Sequence, residues 1–183
     1  IFTTNFIDKK EFINFIINQD ICNILKFVQI SNVNIENFFS MIRFLLLEAC
    51  IENSEKINKK HYIDFSVALG RSCFNSEYCW IQTEDETNKI NQLKDRLVNE
   101  IKLKNDVLPI EILTLGSYEQ LFNLRELRGY LLTKKDQSNL KSIIKEQITD
   151  YIKEEEIEKD IKKISKFKNS ISIKVKDQYE NFP

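Results

Sequence analysis

The chain has 183 residues, of which 42% are hydrophobic and 30% are charged, and this balance is typical of a folded globular protein and not of a disordered one. Its 27 basic and 28 acidic residues leave a formal charge of -1, so no net field would draw the chain to nucleic acid or to an anionic membrane. Three glycines and two prolines are too few for the frequent turns of a multi-stranded β fold. We therefore expect an all-α protein, an irregular bundle of about seven to nine helices.

Three helices are predicted in the first third of the chain, where apolar residues recur at helical spacing. Asp8 and Asp20 are placed to cap two short helices that would form a hairpin. Asn34 then opens a third helix, which ends near Asn53 and is apolar on nearly every side. We expect this third helix at the centre of the bundle.

A second central helix is predicted within residues 59–80, which also carry apolar side chains at helical spacing. Gly70 lies inside this helix, where glycine costs about 1 kcal/mol relative to alanine, so we expect a tight helix crossing at that point. Thr83 and Glu86 have the spacing of a capping box. An amphipathic helix should follow them.

The second half of the chain continues the helical pattern. Pro109 suits the first turn of a short helix that Gly116 would end, and Ser117 begins the next helical stretch. A further amphipathic helix starts near Asp136 and passes into a Lys/Glu-rich stretch that we expect at the periphery. Residues 170–183 alternate apolar with polar side chains, so strand and helix are both open there. We divide the chain into a helical domain, residues 1–168, and a terminal segment, residues 169–183.

The sequence contains no glycine-rich nucleotide loop, no zinc-protease helix and no nucleophile elbow, and we assign no catalytic residue. The single histidine, His61, has no paired nucleophile, so we interpret it as an ordinary surface or half-buried residue. Helix capping explains the carboxylates of residues 84–86, and a solvated helix face explains those of residues 154–156. The lysines of residues 159–176 follow acidic residues and have few aromatic neighbours, so we expect no nucleic acid partner.

Four cysteines, Cys22, Cys50, Cys73 and Cys79, lie in apolar helical patterns, with no C-x-x-C pair and no Cys/His ligand cluster. We interpret them as reduced thiols of a cytoplasmic protein and expect no metal site. No signal peptide is recognisable, and no apolar run approaches the ~20 residues of a membrane span, so we expect no membrane partner.

Two stretches combine aromatic and acidic residues in a way that the helical pattern does not require. In the first, large aromatics are expected to surround one carboxylate, and its members are Cys73, Phe74, Glu77 and Tyr78. The second, residues 178–183, reads Q-Y-E-N-F-P. Aromatic density of this kind more often marks a core than a site.

At these two stretches the sequence resembles the helical connecting region of bacterial tetratricopeptide-repeat class I S-adenosylmethionine-dependent methyltransferases. A family helix of the form A-L-x-x-x-C-F-x-x-E-Y is similar to residues 68–78, and a Q-Y-E-x-x-P-Y-P-x-W motif at the entrance of the catalytic domain is similar in its first six positions to residues 178–183. Phe182 departs from the family, which commonly has Asn there. The resemblance covers residues 20–183.

The resemblance implies a non-catalytic accessory region, regulatory or substrate-presenting, whose residues 169–183 lead into a methyltransferase domain. Its implied partners are that domain and a protein substrate. S-adenosylmethionine is implied for the parent protein and no cofactor for this chain, because the glycine-rich loop that holds it has no counterpart here. The chain begins with Ile1 and not with Met, which fits a piece of a longer enzyme that is inactive by itself.

The resemblance also implies roles for particular residues. Gln178, Tyr179 and Glu180 would lie beside the cofactor cleft of the full-length protein. The residues of the C-F-x-x-E-Y helix would form a structural or interface motif. The residues alone leave a different class open, a stand-alone helical protein–protein interaction module, because the predicted helices are amphipathic and no active site is visible.

Overall fold

The computed structural model describes residues 6–161 together with Lys174, Val175 and Gln178. Every regular element among these residues is helical, and no strand occurs in this part of the chain, which confirms the predicted all-α bundle. Lys174, Val175 and Gln178 are helical as well. Tyr179 and Glu180, and the predicted boundary after residue 168, lie outside the described residues.

The first five helices are α1 (Lys10–Ile16), α2 (Gln19–Phe27), α3 (Val33–Ile57), α4 (Lys60–Asn75) and α5 (Glu84–Lys102). The later elements are α6 (Pro109–Leu115), a 3₁₀ turn (Leu121–Asn123), α7 (Arg125–Thr133), α8 (Lys141–Ile144), a π-helical turn (Lys145–Thr149) and α9 (Asp150–Asp160). The chain forms two compact units, residues 1–151 and residues 152–183. The first unit contains α1 to α8 and the core.

The caps of the first helices differ from the sequence expectation. Asn18 caps α2, because its side chain accepts a hydrogen bond from the backbone N–H of Asp20 at 2.8 Å. Asp20 therefore lies in the first turn, where a carboxylate favours the positive end of the helix. Lys9 precedes α1 without a side-chain cap, and Asp8 forms a salt bridge with Lys56. The prediction that Asp8 and Asp20 are caps was wrong. Asn18 caps α2 in place of Asp20, and no side chain caps α1.

Helix α3 is interrupted at Asn53, where its end was predicted. Asn53 has φ -163° and ψ 89°, outside the helical region, and its side chain accepts a hydrogen bond from the backbone N–H of Lys56 at 3.2 Å. This bond caps one further turn, which continues to Ile57. The polar stretch expected as a connection is therefore a kink followed by a last helical turn.

The core is formed by α3, α4 and the short helix α6, which packs against both of them. Ile110, Ile112, Leu113 and Leu115 of α6 are fully buried, and Glu111 and Thr114 are buried as well, so this helix is covered on every side. Pro109 begins α6 and Gly116 ends it, as predicted. The sequence placed two helices at the centre, and the structure adds this third one.

The end of α6 lies close to α4 at the two glycines. A Cβ added to Gly70 would lie 3.7 Å from the carbonyl oxygen of Gly116, which is ordinary van der Waals contact. A Cβ added to Gly116 would lie 2.7 Å from a methyl carbon of Ile143, a distance that real structures do not show. Helix α4 therefore meets the end of α6 at Gly70, but the crossing is not tight there, because a Cβ would fit. The tight contact is the one between Gly116 and Ile143 of α8.

Candidate functional site

The C-F-x-x-E-Y motif forms the end of α4. The backbone N–H of Tyr78 donates to the carbonyl of Cys73 at 2.9 Å, and that of Glu77 donates to the carbonyl of Phe74 at 3.0 Å. These two bonds define a Schellman cap. Glu77 and Tyr78 have φ values of 52° and 57°, in the left-handed region that usually favours glycine. The motif therefore reverses the chain after α4, and the backbone of these two residues is strained.

The side chains of this motif do not surround a carboxylate. Cys73 is fully buried and Glu77 is exposed, whereas Phe74 and Tyr78 are half-buried. The Tyr78 hydroxyl donates to the carbonyl of Gly116 at 3.3 Å. The expected clustering of aromatic rings about Glu77 was wrong, because the chain reversal turns that side chain towards solvent. The motif joins the end of α4 to the end of α6.

Sequence reasoning missed a buried ion pair between α3 and α5. Arg43 is 1% exposed and Glu86 4%, and the nearest nitrogen and oxygen atoms lie 3.7 Å apart. The guanidinium donates to the carbonyl of Ile81 at 2.8 Å, and its central carbon lies 4.1 Å from the ring centre of Tyr118. The only sequence signal was a single arginine inside the apolar stretch of residues 41–47.

Glu86 is fully engaged by its neighbours. One carboxylate oxygen accepts from the Tyr118 hydroxyl at 2.9 Å, and the other accepts from the backbone N–H of Thr83 at 2.8 Å, which completes the predicted capping box. Burial raises the pKa of Tyr118, so its phenol remains a donor. Because each oxygen already has partners, this cluster holds α3, α5 and the chain after α6 together.

The cysteines are free thiols, three buried and one exposed. Cys79 is exposed and follows the chain reversal, so the expectation that all four lie in apolar helical surroundings was wrong for this residue. Burial raises the pKa of Cys50 and of Cys73 to about 12. Among the described residues, no group of three or more His, Cys, Asp or Glu side chains is arranged to hold a metal ion. Burial lowers the pKa of the half-buried His61.

Large apolar side chains are exposed mainly on the first three helices. Nine such side chains lie between residues 6 and 41, more than in the rest of the described chain. They are Phe6, Ile17, Ile24, Phe27, Val28, Val33, Ile35, Phe38 and Met41. We call this set the N-terminal apolar surface. Phe27 is the most exposed of them at 72%.

Two cavities adjoin the exposed side of α3, and Met41 contributes to both. The first, of about 200 Å³, lies between α1 and α3 and has phenylalanine rings in its wall. The second, of about 290 Å³, lies between α3 and the start of α5 and includes Phe44 and Ile81. The hydroxyl of Ser40, in the wall of the second cavity, is buried without a hydrogen-bond partner among the described residues.

The structure describes Gln178 as an exposed helical residue. Among the described helices, none combines the length and apolar character needed to cross a membrane. The chain matches no family model, no curated protein and no solved structure. Its function is therefore inferred from the chain's own surface and from its two motifs.

Proposed function

We propose that the chain is a non-catalytic helical accessory region, regulatory or substrate-presenting, of an S-adenosylmethionine-dependent methyltransferase. In this proposal the N-terminal apolar surface docks on the catalytic domain. The observation that carries the docking role is the exposure of nine large apolar side chains within 36 consecutive residues, 6 to 41. The assignment to a methyltransferase is supported by the likeness of residues 68–78 and 178–183 to the family motifs.

Burial of these side chains supplies a driving force for docking. Removing apolar surface from water contributes about 25 cal/mol per Å², and aromatic residues and methionine are enriched in protein interfaces. Phe27, Phe38 and Met41 are residues of these kinds, with exposures of 72%, 42% and 47%. The S-adenosylmethionine would be held by the catalytic domain, with Gln178, Tyr179 and Glu180 beside its cleft.

The same surface also supports a second function, a stand-alone helical protein–protein interaction module. The two functions predict different sequences downstream of Pro183 in the reading frame. A Tyr-Pro-x-Trp sequence leading into a strand and a glycine-rich loop would support the methyltransferase. A stop codon or an unrelated domain there would contradict it and would favour the interaction module.

Hydrogen exchange tests the docking role in the intact protein. If the surface is covered, backbone amides of α2 and of the start of α3 should exchange at least about tenfold more slowly in the full-length protein than in the 183-residue chain, since tenfold corresponds to only about 1.4 kcal/mol. The double variant Phe27→Ser/Ile35→Ser should abolish that difference. Leu103→Ser, at a residue that is 70% exposed at the end of α5, should leave it unchanged. Equal exchange in the two unsubstituted proteins would refute docking through this surface.

A further inference from the structure

The cavity between α1 and α3 has an unusual wall. Four phenylalanines line it, Phe6, Phe12, Phe15 and Phe38, and the only charged residue in its lining is Glu11. The ring centres of Phe6 and Phe12 are 5.4 Å apart, and those of Phe15 and Phe38 are 5.5 Å apart with nearly perpendicular planes. Two pairs of rings at different orientations, together with one carboxylate, therefore enclose about 200 Å³.

The charge of this wall favours a cation. Phenylalanine rings carry negative potential on their faces and attract a cation within about 6 Å of the ring centre. The ammonium of Lys9, which is not in the cavity lining, lies 5.7 Å from the ring centre of Phe6, so one ring of the wall already takes part in a cation–π contact. Glu11 is exposed and forms no salt bridge among the described residues, so its negative charge is available to a ligand.

The scarcity of hydrogen-bond acceptors decides which cation fits. An unmodified ammonium has three N–H donors, and burying them against aromatic rings without acceptors costs free energy. Glu11 offers the only carboxylate in the lining, and the other lining side chains are Phe, Met and Ile. A methylated ammonium has a positive charge under an apolar shell and needs few or no acceptors. It therefore matches both the rings and the single carboxylate.

We propose that the aromatic cavity binds a methylated ammonium group. The group could belong to a small quaternary amine such as choline or to a trimethylated lysine side chain, since both present the same chemistry to the rings. This site does not rest on the methyltransferase assignment. It shares Phe6, Phe38 and Met41 with the N-terminal apolar surface, so it is tested on the 183-residue chain, where no docked domain covers it. Met41, which also lines the cavity, adds a polarizable sulfur to the wall.

A pair of isosteric compounds tests the role of the charge. Choline and the neutral 3,3-dimethylbutan-1-ol have nearly the same shape and differ in the positive charge. Titration of the 183-residue chain, followed by NMR shifts of α1 and α3 amides, should show choline binding at least about fivefold more tightly than the alcohol, as expected for cation–π attraction. Equal affinities, or no binding of either compound, would overturn the proposal.

A second pair of ligands identifies the source of the group. A short peptide with trimethyl-lysine should bind at least about fivefold more tightly than the same peptide with unmodified lysine. If the trimethylated peptide also binds more tightly than choline, the ligand is a modified protein. If choline binds more tightly than the peptide, the ligand is a small amine. A preference for unmodified lysine would contradict the scarcity of acceptors and overturn the proposal.

Substitutions separate the cation site from a plain apolar pocket. Phe38→Leu keeps an apolar side chain but removes a ring, and Glu11→Gln removes the charge at an exposed position, so both variants should fold, as far-UV circular dichroism can check. Each should weaken choline binding about three- to tenfold and leave the alcohol unchanged. The controls Phe44→Leu and Glu84→Gln, outside the cavity, should bind choline normally. A loss for Phe38→Leu that is equal for both compounds would show a plain apolar pocket and refute the cation site.

Discussion

Replacing Arg43 with methionine should remove a large part of the stability of the first unit. The guanidinium is 1% exposed and donates a 2.8 Å hydrogen bond to the carbonyl of Ile81, and hydrogen bonds with a charged partner contribute about 1.5–3 kcal/mol each. The substitution also leaves Glu86 buried without its cation. Breaking a buried ion pair from one side costs about 3–5 kcal/mol, and we expect a loss of that size. The free energy of unfolding of a small domain is only about 5–15 kcal/mol in total.

Urea unfolding followed by helical circular dichroism measures this loss. The transition midpoint should fall and the slope should stay the same, since a changed slope would indicate a changed unfolded or native state. Arg125→Met is a matched control, because Arg125 is an exposed arginine at the start of α7. Its free energy of unfolding should differ from that of the unsubstituted chain by less than about 0.5 kcal/mol. A loss below about 1 kcal/mol for Arg43→Met would refute the reasoning.

Glu86→Gln isolates the contribution of the charge. Glutamine preserves the capping box, because that motif accepts either Glu or Gln at this position. Its single carbonyl oxygen then serves Thr83, and its amide N–H can donate to the Tyr118 oxygen in place of the acceptor that is lost. Arg43 retains its carbonyl partners, so the expected loss is smaller, about 1–3 kcal/mol. The double variant Arg43→Met/Glu86→Gln should lose less than the sum of the single losses, since it leaves no unpaired buried charge. Strict additivity would show that the two groups do not interact.

Other predictions concern glycines and thiols. Gly116→Ala should destabilise the chain by about 1–3 kcal/mol, because its Cβ would lie 2.7 Å from a side-chain methyl. Gly129→Ala, with no atom within 4 Å of the added Cβ, should stabilise α7 by up to about 1 kcal/mol. Urea midpoints that shift in the same direction for both variants would contradict this. Ellman's reagent should modify Cys79 rapidly in the folded chain and Cys50 and Cys73 only on unfolding, and rapid modification of more than one thiol would contradict the burial pattern. Burial raises the pKa of Cys50 and Cys73 from 9.0 to about 12, so these thiols stay protonated in the fold while they ionise in the unfolded chain. Their contribution to stability should therefore be constant below pH 9.0 and decline from there towards pH 12. Stability of Cys50→Ala should decline less over that interval, and a decline equal to that of the unsubstituted chain would refute the effect.

Local signals in the sequence were sufficient for the helices whose ends have one strong cap. The Thr83/Glu86 pair at α5 and the Pro109 and Gly116 ends of α6 were predicted at the correct residues. A capping box, an N-terminal proline and a C-terminal glycine each act within one helical turn, so all the groups involved are neighbours in the sequence. The cap of α2 was misassigned because two polar residues close together, Asn18 and Asp20, can both serve as caps, whereas α1 begins without any side-chain cap.

Much less of the candidate site could be predicted from the sequence. The motif at residues 73–78 was recognised, but its role as a Schellman cap depends on the left-handed backbone of Glu77 and Tyr78, which composition does not reveal. Exposed apolar side chains on the first helices looked the same in the sequence as core residues. Their exposure depends on how much of each helix its neighbours cover, which is a property of the assembled bundle.

By itself the sequence determined that this protein is helical, where several of its helices end, and which chemical motifs it lacks, because these properties follow from local spacing and residue type. Only the tertiary structure decided that Arg43 meets Glu86, that α6 is central, and that four phenylalanines and Glu11 share one cavity. Those arrangements bring together residues from helices that are distant in the sequence. Side-chain periodicity specifies which face of each helix is apolar, but it does not specify which other helix that face will meet.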